Sequence, residues 1–287
     1  MVEGKAVMSN EKSISARGRI WFEALAGKQA KHVPSVPSVL VADTTLQKER
    51  VRFLAIVPDP DNRFPCARQG QVGLQEGWNL AKQVRDAIKA DENGEKRAII
   101  AIVDVPSQAY GRREELLGIF LAAAAATDAY VSARLAGHPV ISLLVGHAIS
   151  GGFLTHGAQA NRLLAFNDSG VMVHAMAKNA AARVTRRTVE ELDKLAETVI
   201  PMSYKIEDYA KLGTLYKLID GVNVDSPEPK QVEQVRADLL AAIADARSGQ
   251  RDLSNRLESQ GAQKNRNAAL LVRQRLAAEW HSNETSL

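Results

Sequence analysis

Three largely apolar runs constrain the fold of this sequence more than any other feature. They lie at residues 50–57, 97–105 and 140–145, and each stops at a proline or a glycine. Runs of this kind are typical of strands that are buried on both faces. An amphipathic stretch at 73–90 and an alanine-rich stretch at 114–135 separate them and predict helices. Because strands and helices alternate with short connections, we predict the α/β class, with right-handed crossovers and a largely parallel sheet.

Shorter elements and a helical C-terminal part complete the predicted organisation. The same patterns predict helices at 17–27, 151–159 and 178–185, strands at 39–42, 161–166 and 171–175, and long helices at 227–246 and 267–280. Thr188 and Glu191 have the spacing of a capping box, which begins the helical part. We therefore predict a flexible N-terminus at 1–16, an α/β domain at 17–225, and C-terminal helices at 226–287 that pack on the core or on a second subunit.

Cysteine usage and hydropathy indicate the compartment. Cys66 is the only cysteine among 287 residues, so no disulfide can form within the chain and a reducing compartment is expected. The first fifteen residues lack an apolar signal segment, and no apolar run approaches the roughly 20 residues that cross a bilayer. We expect a cytoplasmic protein that does not enter the membrane.

The charge distribution argues against nucleic-acid binding. The formal net charge of +4 is modest and is explained by solubility or by a surface that meets an acidic partner. Basic residues do concentrate near the C-terminus, but acidic residues are interleaved and aromatic residues are scarce there. These basic residues are Arg247, Arg251, Arg256, Lys264, Arg266, Arg273 and Arg275.

Two predicted strands end in glycine-containing turns immediately before helices. One turn contains Tyr110 and Gly111, and the other contains Gly151 and Gly152. Because successive strand ends in a parallel sheet lie at the same edge, we expect these turns to meet. Their backbone N–H groups would then point into one cleft that holds an anion or a developing oxyanion. The alternative is that the glycines only permit tight turns and close helix packing.

A hydrolase is a competing interpretation of the second turn. The segment Ala148-Ile-Ser-Gly-Gly152 resembles a G-x-S-x-G nucleophile elbow in which alanine replaces the first glycine. Asp168 and His174 follow Ser150 in the order that a catalytic triad would need. The histidines at 138, 147, 156 and 174 do not fall at i, i+4 spacing, and with one cysteine in the chain they predict no metal site.

Three segments taken together resemble a known enzyme family. Residues 103–115, 139–153 and 171–183 match, in this order, the Asp-x-Pro-Gly loop, the Gly-Gly turn and the Val-Met-Gly-Pro-Glu segment of crotonase-superfamily carboxyltransferases. The phrase Ser-Gln-Ala-Tyr-Gly-Arg-Arg-Glu-Glu, which begins at Ser107, is similar specifically to gamma subunits of biotin-independent malonate decarboxylases. Ser107 replaces a family glycine and residues 176–179 lack the Gly-Pro-Glu, and these departures favour the decarboxylase over a biotin-handling enzyme.

The resemblance implies a crotonase-like (ClpP/crotonase) fold, which is a spiral of ββα units, with a helical C-terminal extension. It also implies a homologous beta subunit, with the active site at the interface of the two subunits. The expected substrate is malonyl carried on the phosphopantetheine-type arm of an acyl carrier protein, and the expected products are carbon dioxide and the acetyl thioester. The chain is expected to bind no metal, biotin or other cofactor of its own, and a malonyl/acetyl transferase subunit is a further expected partner.

Roles for individual residues follow from the resemblance. Gly151, Gly152, Tyr110 and Gly111 are expected to act in catalysis through backbone donors, with the Gly-Gly turn facing the carboxylate or the departing carbon dioxide. The side chains expected to bind substrate are those of Ser107, Gln108, Arg112, His147, Ser150 and His174. Two alternatives stay open: a carboxyltransferase subunit of a biotin-dependent enzyme, and a non-catalytic structural half of such a complex.

Overall fold

The structure is a computed structural model that describes residues 14–284, with side chains for residues 14–280. Its strands are β1 (Lys31–His32), β2 (Val39–Leu46), β3 (Glu49–Ile56), β4 (Ala98–Val105), β5 (Val140–Ile149), β6 (Arg162–Phe166), β7 (Met172–His174) and β8 (Lys217–Ile219). Its helices are α1 (Arg17–Ala26), α2 (Leu74–Ala90), α3 (Arg112–Leu116), α4 (Ile119–Leu135), α5 (Ser150–Thr155), α6 (Lys178–Thr185), α7 (Val189–Ala196), α8 (Ile206–Lys211), α9 (Pro229–Ser248), α10 (Asn255–Glu258), α11 (Gln260–Asn265) and α12 (Asn267–Glu284), with 3-10 turns at Pro65–Gln69 and Ile200–Met202. The flexible N-terminus predicted at 1–16 lies mostly outside the described residues, and the three-part division of the chain stays a prediction.

The described strands form one mixed, mostly parallel sheet. Its order is β1-β2-β3-β4-β5-β6-β8, and β7 pairs with the end of β5. Every pairing from β3 onward is parallel, whereas β1, β2 and β3 pair antiparallel. The prediction of a largely parallel sheet is confirmed. The antiparallel edge arises because only Gln47 and Lys48 separate β2 from β3, and so short a connection joins only antiparallel strands.

The core lies along the central strands. Every residue of β4 is buried, as the continuous apolar run predicted. Helix α2 packs on α4, where Gly77 lies so close to the backbone of Ala122 that no side chain fits between them. On α9, Leu239 and Ile243 are fully buried, and this helix contacts β5 and β6. The packed helices cover the faces of the central strands, so the ends of these strands are the accessible part of the sheet.

Strand β5 runs further than the sequence predicted. We expected a strand that ends at Gly146 and a turn as far as Ser150, but β5 continues to Ile149. Gly146 permits a close approach instead, because a side chain there would collide with the carboxylate of Asp104. That carboxylate accepts a hydrogen bond of 3.1 Å from the backbone N–H of His147. Glycine inside a strand commonly marks such a contact, and here the strand leads directly into α5.

The helix predicted at 114–135 is two helices. Gly118 adopts the left-handed conformation, with φ 79°, and separates α3 from α4. Glycine reaches this conformation without the steric cost that a side chain adds. Four large side chains around this break are between 54% and 76% exposed, and we refer to them as the apolar patch: Leu116, Leu117, Phe120 and Leu121.

The C-terminal helices form close to their predicted positions. Helix α9 begins at Pro229 and α12 at Asn267, each within two residues of the prediction. The exposed large apolar side chains of α12 are Leu271, Val272, Leu276 and Trp280. None of the helices in residues 14–284 combines the length and the hydropathy needed to cross a membrane.

Candidate active site

The two glycine-containing turns lie against each other at the carboxyl edge of the sheet. The Tyr110 hydroxyl is 2.9 Å from the Ser150 Oγ and forms a hydrogen bond with it. Gly152 approaches the backbone of Ser107 so closely that a Cβ atom would lie 2.6 Å from its carbonyl carbon. A Cβ atom on Gly151 would lie 2.7 Å from the side-chain oxygen of Gln108. The expected meeting of the turns is therefore present, and it depends on two residues without side chains.

The segment before α2 holds the loop that carries Tyr110 in place through backbone hydrogen bonds. The N–H of Val72 donates to the carbonyl of Ser107 at 3.0 Å, and the N–H of Ala109 donates to the carbonyl of Val72 at 2.8 Å. Glu114, which is buried, lies beneath Gly111 and would collide with any side chain there. These contacts fix the position of the loop relative to α5.

Ser150 opens α5 in an unusual backbone conformation. Its φ of 62° lies in the left-handed region, which costs a residue other than glycine about 1–2 kcal/mol. The preceding Ile149 is extended, so the chain turns sharply between strand and helix. The first N–H groups of a helix have no partner within it, and in α5 these belong to Ser150, Gly151 and Gly152. The turn therefore presents backbone donors together with the serine hydroxyl.

An apolar cavity of about 450 Å³ adjoins this turn. Ser150 and His174 supply polar groups to its lining, while Phe153, Val173 and Met202 are among its apolar walls. The ring of His174 stacks on Tyr204 with 3.9 Å between the centroids. Its Nδ1 forms one hydrogen bond with the backbone of Met176, whose carbonyl oxygen and N–H lie 3.0 and 3.2 Å away. Burial lowers the pKa of His174, so the ring is neutral at pH 7. The cavity thus pairs an apolar interior with a polar rim.

The sequence did not predict part of the lining of this cavity. Pro201, Met202, Tyr209 and Leu212 belong to the segment around α8, which we predicted only as helical chain beyond the core. They reach the cavity because β7 pairs with the end of β5 and carries the following chain over α5. No motif in the residues 200–212 indicates that contact.

His147 is separated from the other candidates. It lines a different cavity, of about 460 Å³, together with Asp104 and Arg17. The sequence placed His147 and His174 on either side of one cleft, but the extension of β5 alters this arrangement. Side chains alternate along a strand, so the register beyond Gly146 decides which side of the sheet each residue faces.

Arg112 is exposed at the first turn of α3. Among the described residues it has no ion-pair or hydrogen-bond partner, and it follows directly after Tyr110 and Gly111. Tyr110 itself is 58% exposed. The guanidinium group is therefore accessible to a carboxylate that approaches from solvent or from a second subunit.

The hydrolase interpretation is wrong. Asp168 accepts hydrogen bonds from Arg17 at 2.7 Å and from the N–H of Gly170 at 2.8 Å. His174 bonds to the backbone of Met176, and Ser150 bonds to Tyr110. The three side chains of the proposed triad therefore have other partners. Among the side chains that the structure describes, those of residues 14–280, no group of three or more histidine, cysteine or acidic residues is arranged to hold a metal ion.

His156 fixes the far end of α5. Its ring is fully buried, with Nε2 donating to the carbonyl of Ile102 at 3.0 Å and Nδ1 accepting from the hydroxyl of Tyr130 at 2.9 Å. This arrangement needs the neutral ring, and burial lowers the pKa of His156 to about 4. Helix α5 is thereby anchored to β4 and α4.

We expect stability to fall as the pH drops from about 6.5 toward 4, because the folded protein resists protonation of His156 while the unfolded chain accepts it. The stability that depends on a neutral His156 ring amounts to about 3 kcal/mol and is complete above the pKa that this histidine has in the unfolded chain. His156→Phe should lower the unfolding free energy at pH 7 by about 2 kcal/mol and flatten this pH dependence. Urea unfolding at pH 7, 5.5 and 4.5 measures both effects. Tyr130→Phe is the matched control, which should keep the pH dependence; an unchanged slope in His156→Phe would contradict the assignment.

The comparisons with known proteins agree on one family. The family model described as malonate decarboxylase gamma subunit matches residues 67–280. The crystal structure of a Pseudomonas malonate decarboxylase hetero-tetramer in complex with coenzyme A contains a chain 54% identical, with a TM-score of 0.86 over 91% of this chain and 100% of that chain. The crystal structure of the Pseudomonas malonate decarboxylase MdcD-MdcE hetero-dimer is also 54% identical, with a TM-score of 0.83 over 92% and 99%.

A curated relative carries a different activity in its name. The malonyl-S-ACP:biotin-protein carboxyltransferase MADD of Malonomonas rubra is 34% identical over 194 residues, which is 66% of this chain and 66% of that protein. The architecture of the chain is the crotonase-like fold that the resemblance predicted. With its family model covering most of the described residues, the chain belongs to the malonate decarboxylase gamma subunit family.

Proposed function

We propose that this chain combines with a homologous beta subunit to decarboxylate a malonyl thioester carried by an acyl carrier protein. The observation that carries the proposal is the contact between the Tyr110 and Ser150 turns at the open edge of the sheet. Family membership and the coenzyme A complex of the Pseudomonas enzyme support a thioester substrate. The malonyl-S-ACP in the name of the Malonomonas relative supports a carrier-bound form.

The reaction needs a site that stabilises charge as it moves. The bond between the carboxylate carbon and Cα breaks, its electron pair passes into the thioester carbonyl as an enolate, and carbon dioxide leaves. A proton added to Cα then gives the acetyl thioester. Only groups that bind the transition state better than the ground state accelerate this step, so the carboxylate must be held without strong stabilisation.

The geometry suits the carboxylate end of the substrate. In our proposal the amides of Gly151 and Gly152 orient the carboxylate, while the apolar cavity beside Ser150 receives it as it becomes neutral carbon dioxide. Exclusion of water from that cavity favours the neutral product over the charged carboxylate. Ser107, Gln108 and the Tyr110 hydroxyl complete the rim in this proposal, and Arg112 attracts the substrate from outside. His174 contributes a neutral polar wall, and we assign His147 no contact with substrate because it lines the other cavity.

A biotin-dependent carboxyltransferase is the second candidate, because the Malonomonas relative is named for transfer to a biotin protein. The two functions differ in the fate of the carboxyl group. The test mixes this chain, its beta subunit and malonyl carrier protein, and follows carbon dioxide and acetyl thioester. We expect turnover only with both subunits, and no effect of excess avidin. Inhibition by avidin, or acceptance of the carboxyl group by a biotin protein, would favour the second candidate.

We propose the apolar patch as part of the surface that binds the beta subunit. Exposed apolar side chains in such a group are typical of protein interfaces. The patch begins four residues after Arg112, so a subunit bound there would also cover the candidate site. An acyl carrier protein and a malonyl/acetyl transferase subunit complete the proposed complex, which we place in the cytoplasm because the chain carries one cysteine and the described helices do not cross membranes.

Phe120→Glu should weaken the complex with the beta subunit by about 30-fold, because it places a charge in a desolvated contact worth about 2 kcal/mol. Leu135→Glu is the control, since Leu135 is similarly exposed, at 56% against 63%, but lies at the opposite end of α4. Co-purification and titration by isothermal calorimetry measure the affinity. Equal affinity of both variants would place the interface elsewhere.

A further inference from the structure

The two hydroxyl groups where the glycine-containing turns meet form an isolated pair. The Tyr110 hydroxyl and the Ser150 Oγ lie 2.9 Å apart, and within the part of the chain that the structure describes neither forms a second hydrogen bond. A phenol is a stronger acid than an alcohol and is the better donor, so Tyr110 donates and Ser150 accepts. The proton of the Ser150 hydroxyl is then left without an acceptor, and it is available to a bound molecule.

This pair connects the apolar cavity to the surface of the chain. Ser150 lines the cavity of about 450 Å³ and is 5% exposed, whereas Tyr110 is 58% exposed on the neighbouring loop. The hydrogen bond between them therefore joins a group inside the site to a residue that water reaches. Two hydroxyl groups in this order can pass a proton inward, because each can accept one proton as it gives up another.

The backbone of Ser150 supports a role for its side chain. Its φ of 62° lies in the region that glycine adopts freely and that other residues adopt only at a cost. The next two residues are glycines, yet this strained position holds a residue with a hydroxyl group. Strained residues other than glycine concentrate at functional sites, where the surrounding structure holds them in place. A position that only had to make the turn would be more stable with glycine.

Decarboxylation requires a proton that the apolar walls of the cavity do not supply. After carbon dioxide leaves, the enolate takes a proton at Cα, where the apolar lining disfavours water. In the proposed binding mode the carboxylate lies on the amides of Gly151 and Gly152, and Cα is one bond of about 1.5 Å from it. Ser150 directly precedes these amides, so its hydroxyl is within reach of Cα. His174 also lines the cavity, but burial lowers its pKa, and its neutral ring is a poor acid at pH 7.

We propose that Ser150 is the catalytic acid that protonates the enolate, and that Tyr110 resupplies its proton. The electron pair on Cα takes the proton of the Ser150 hydroxyl, the Ser150 oxygen takes the proton of the Tyr110 hydroxyl, and water returns a proton to the tyrosine. Each turnover thus consumes one proton from solvent and leaves both side chains unchanged. This inference rests on the proposed decarboxylation and adds the source of its proton.

Ser150→Gly removes the hydroxyl and relieves the backbone strain, so its melting temperature should equal or exceed that of the parent chain. We expect the assembled complex to form acetyl thioester from malonyl carrier protein about 100-fold more slowly, a loss typical of a missing general acid. Because the enolate then persists, labelled carbon dioxide should enter the remaining malonyl thioester at least about tenfold more often per turnover. Tyr110→Phe should shift both quantities in the same direction by a smaller factor.

Ser203→Ala is the matched control, because Ser203 lines the same cavity but its hydroxyl donates to Asp208 at 2.6 Å. It should leave the exchange of labelled carbon dioxide per turnover at the parent value, and a rise equal to that of Ser150→Gly would overturn the proposal. Parent-like turnover of Ser150→Gly, or a parallel fall of exchange and acetyl formation, would also overturn it. A parent complex that forms no acetyl thioester would instead contradict the proposed function itself.

Discussion

Gly152→Ala will reduce decarboxylation by the assembled complex by about 100-fold. The added Cβ atom would lie 2.6 Å from the carbonyl carbon and oxygen of Ser107 and 3.0 Å from the backbone nitrogen of Gln108. These are backbone atoms, so the two turns must move apart, at a cost of about 1–3 kcal/mol in stability. The loss of one aligned backbone donor lowers kcat by roughly 10²–10³, which dominates the result.

Gly151→Ala is the matched control for this variant. Its Cβ atom would lie 2.7 Å from the side-chain amide of Gln108, whose flexible end can move aside. We therefore expect a loss of less than about tenfold in kcat, and a melting temperature close to that of the parent chain. Steady-state assays with malonyl carrier protein and thermal melts compare the pair. Unchanged turnover of Gly152→Ala within an assembled complex would support the alternative of a non-catalytic structural half.

Asp91→Asn will lower the unfolding free energy at pH 7 by about 3–5 kcal/mol, the range expected when one partner of a buried ion pair is removed. The carboxylate of Asp91 accepts from the Nε and Nη2 of Arg97 at 2.6 and 2.7 Å, and from Arg50 at 2.8 Å. The side chains of Asp91 and Arg97 are 1% and 10% exposed, so water cannot replace these bonds. The substitution leaves Arg97 with Asp43 alone, at 3.1 Å.

Acid should reduce the difference in unfolding free energy between the parent chain and Asp91→Asn. Hydrogen bonds from Arg97 and Arg50 outweigh burial and hold the pKa of Asp91 well below its usual range. Because the folded pKa is depressed, the stabilisation is complete above the unfolded value of about 3.9 and is lost as the pH falls below it. Urea unfolding at pH 7, 3.5 and 2.5 follows this change. Asp193→Asn, which removes an exposed partner of Lys178, should cost less than about 1 kcal/mol; an equal cost for both substitutions would contradict the account.

Most of the fold could be predicted because its signals are local. The apolar runs at 50–57, 97–105 and 140–145 became central strands, since a residue buried on both sides of a sheet is apolar whatever its neighbours are. The predicted element boundaries were wrong at two glycines, because a glycine can either end an element or permit a close contact within it. Gly146 suggested the end of a strand, but it instead makes room for Asp104 from a neighbouring strand, a contact that no local pattern contains. Gly118 sits inside an alanine-rich run whose helical propensity concealed the break.

The candidate site was predictable only where topology determined it. The turns at Tyr110 and Ser150 follow neighbouring parallel strands, so their meeting required only the sheet order. The positions of His147 and His174 required the register of β5 and β7, which depends on the length of β5. Met202 reaches the cavity from distant sequence, so its contact is tertiary and has no local signal.

A structure of the complex with the beta subunit, bound to a malonyl thioester analogue in which sulfonate replaces the carboxylate, tests the central claim most directly. The claim is that the Gly151 and Gly152 amides of this chain orient the group that leaves. We predict a sulfonate oxygen about 2.9 Å from at least one of these nitrogen atoms, with the thioester reaching toward the partner. A sulfonate that lies beside His147 instead, or that touches only the partner subunit, would contradict the account.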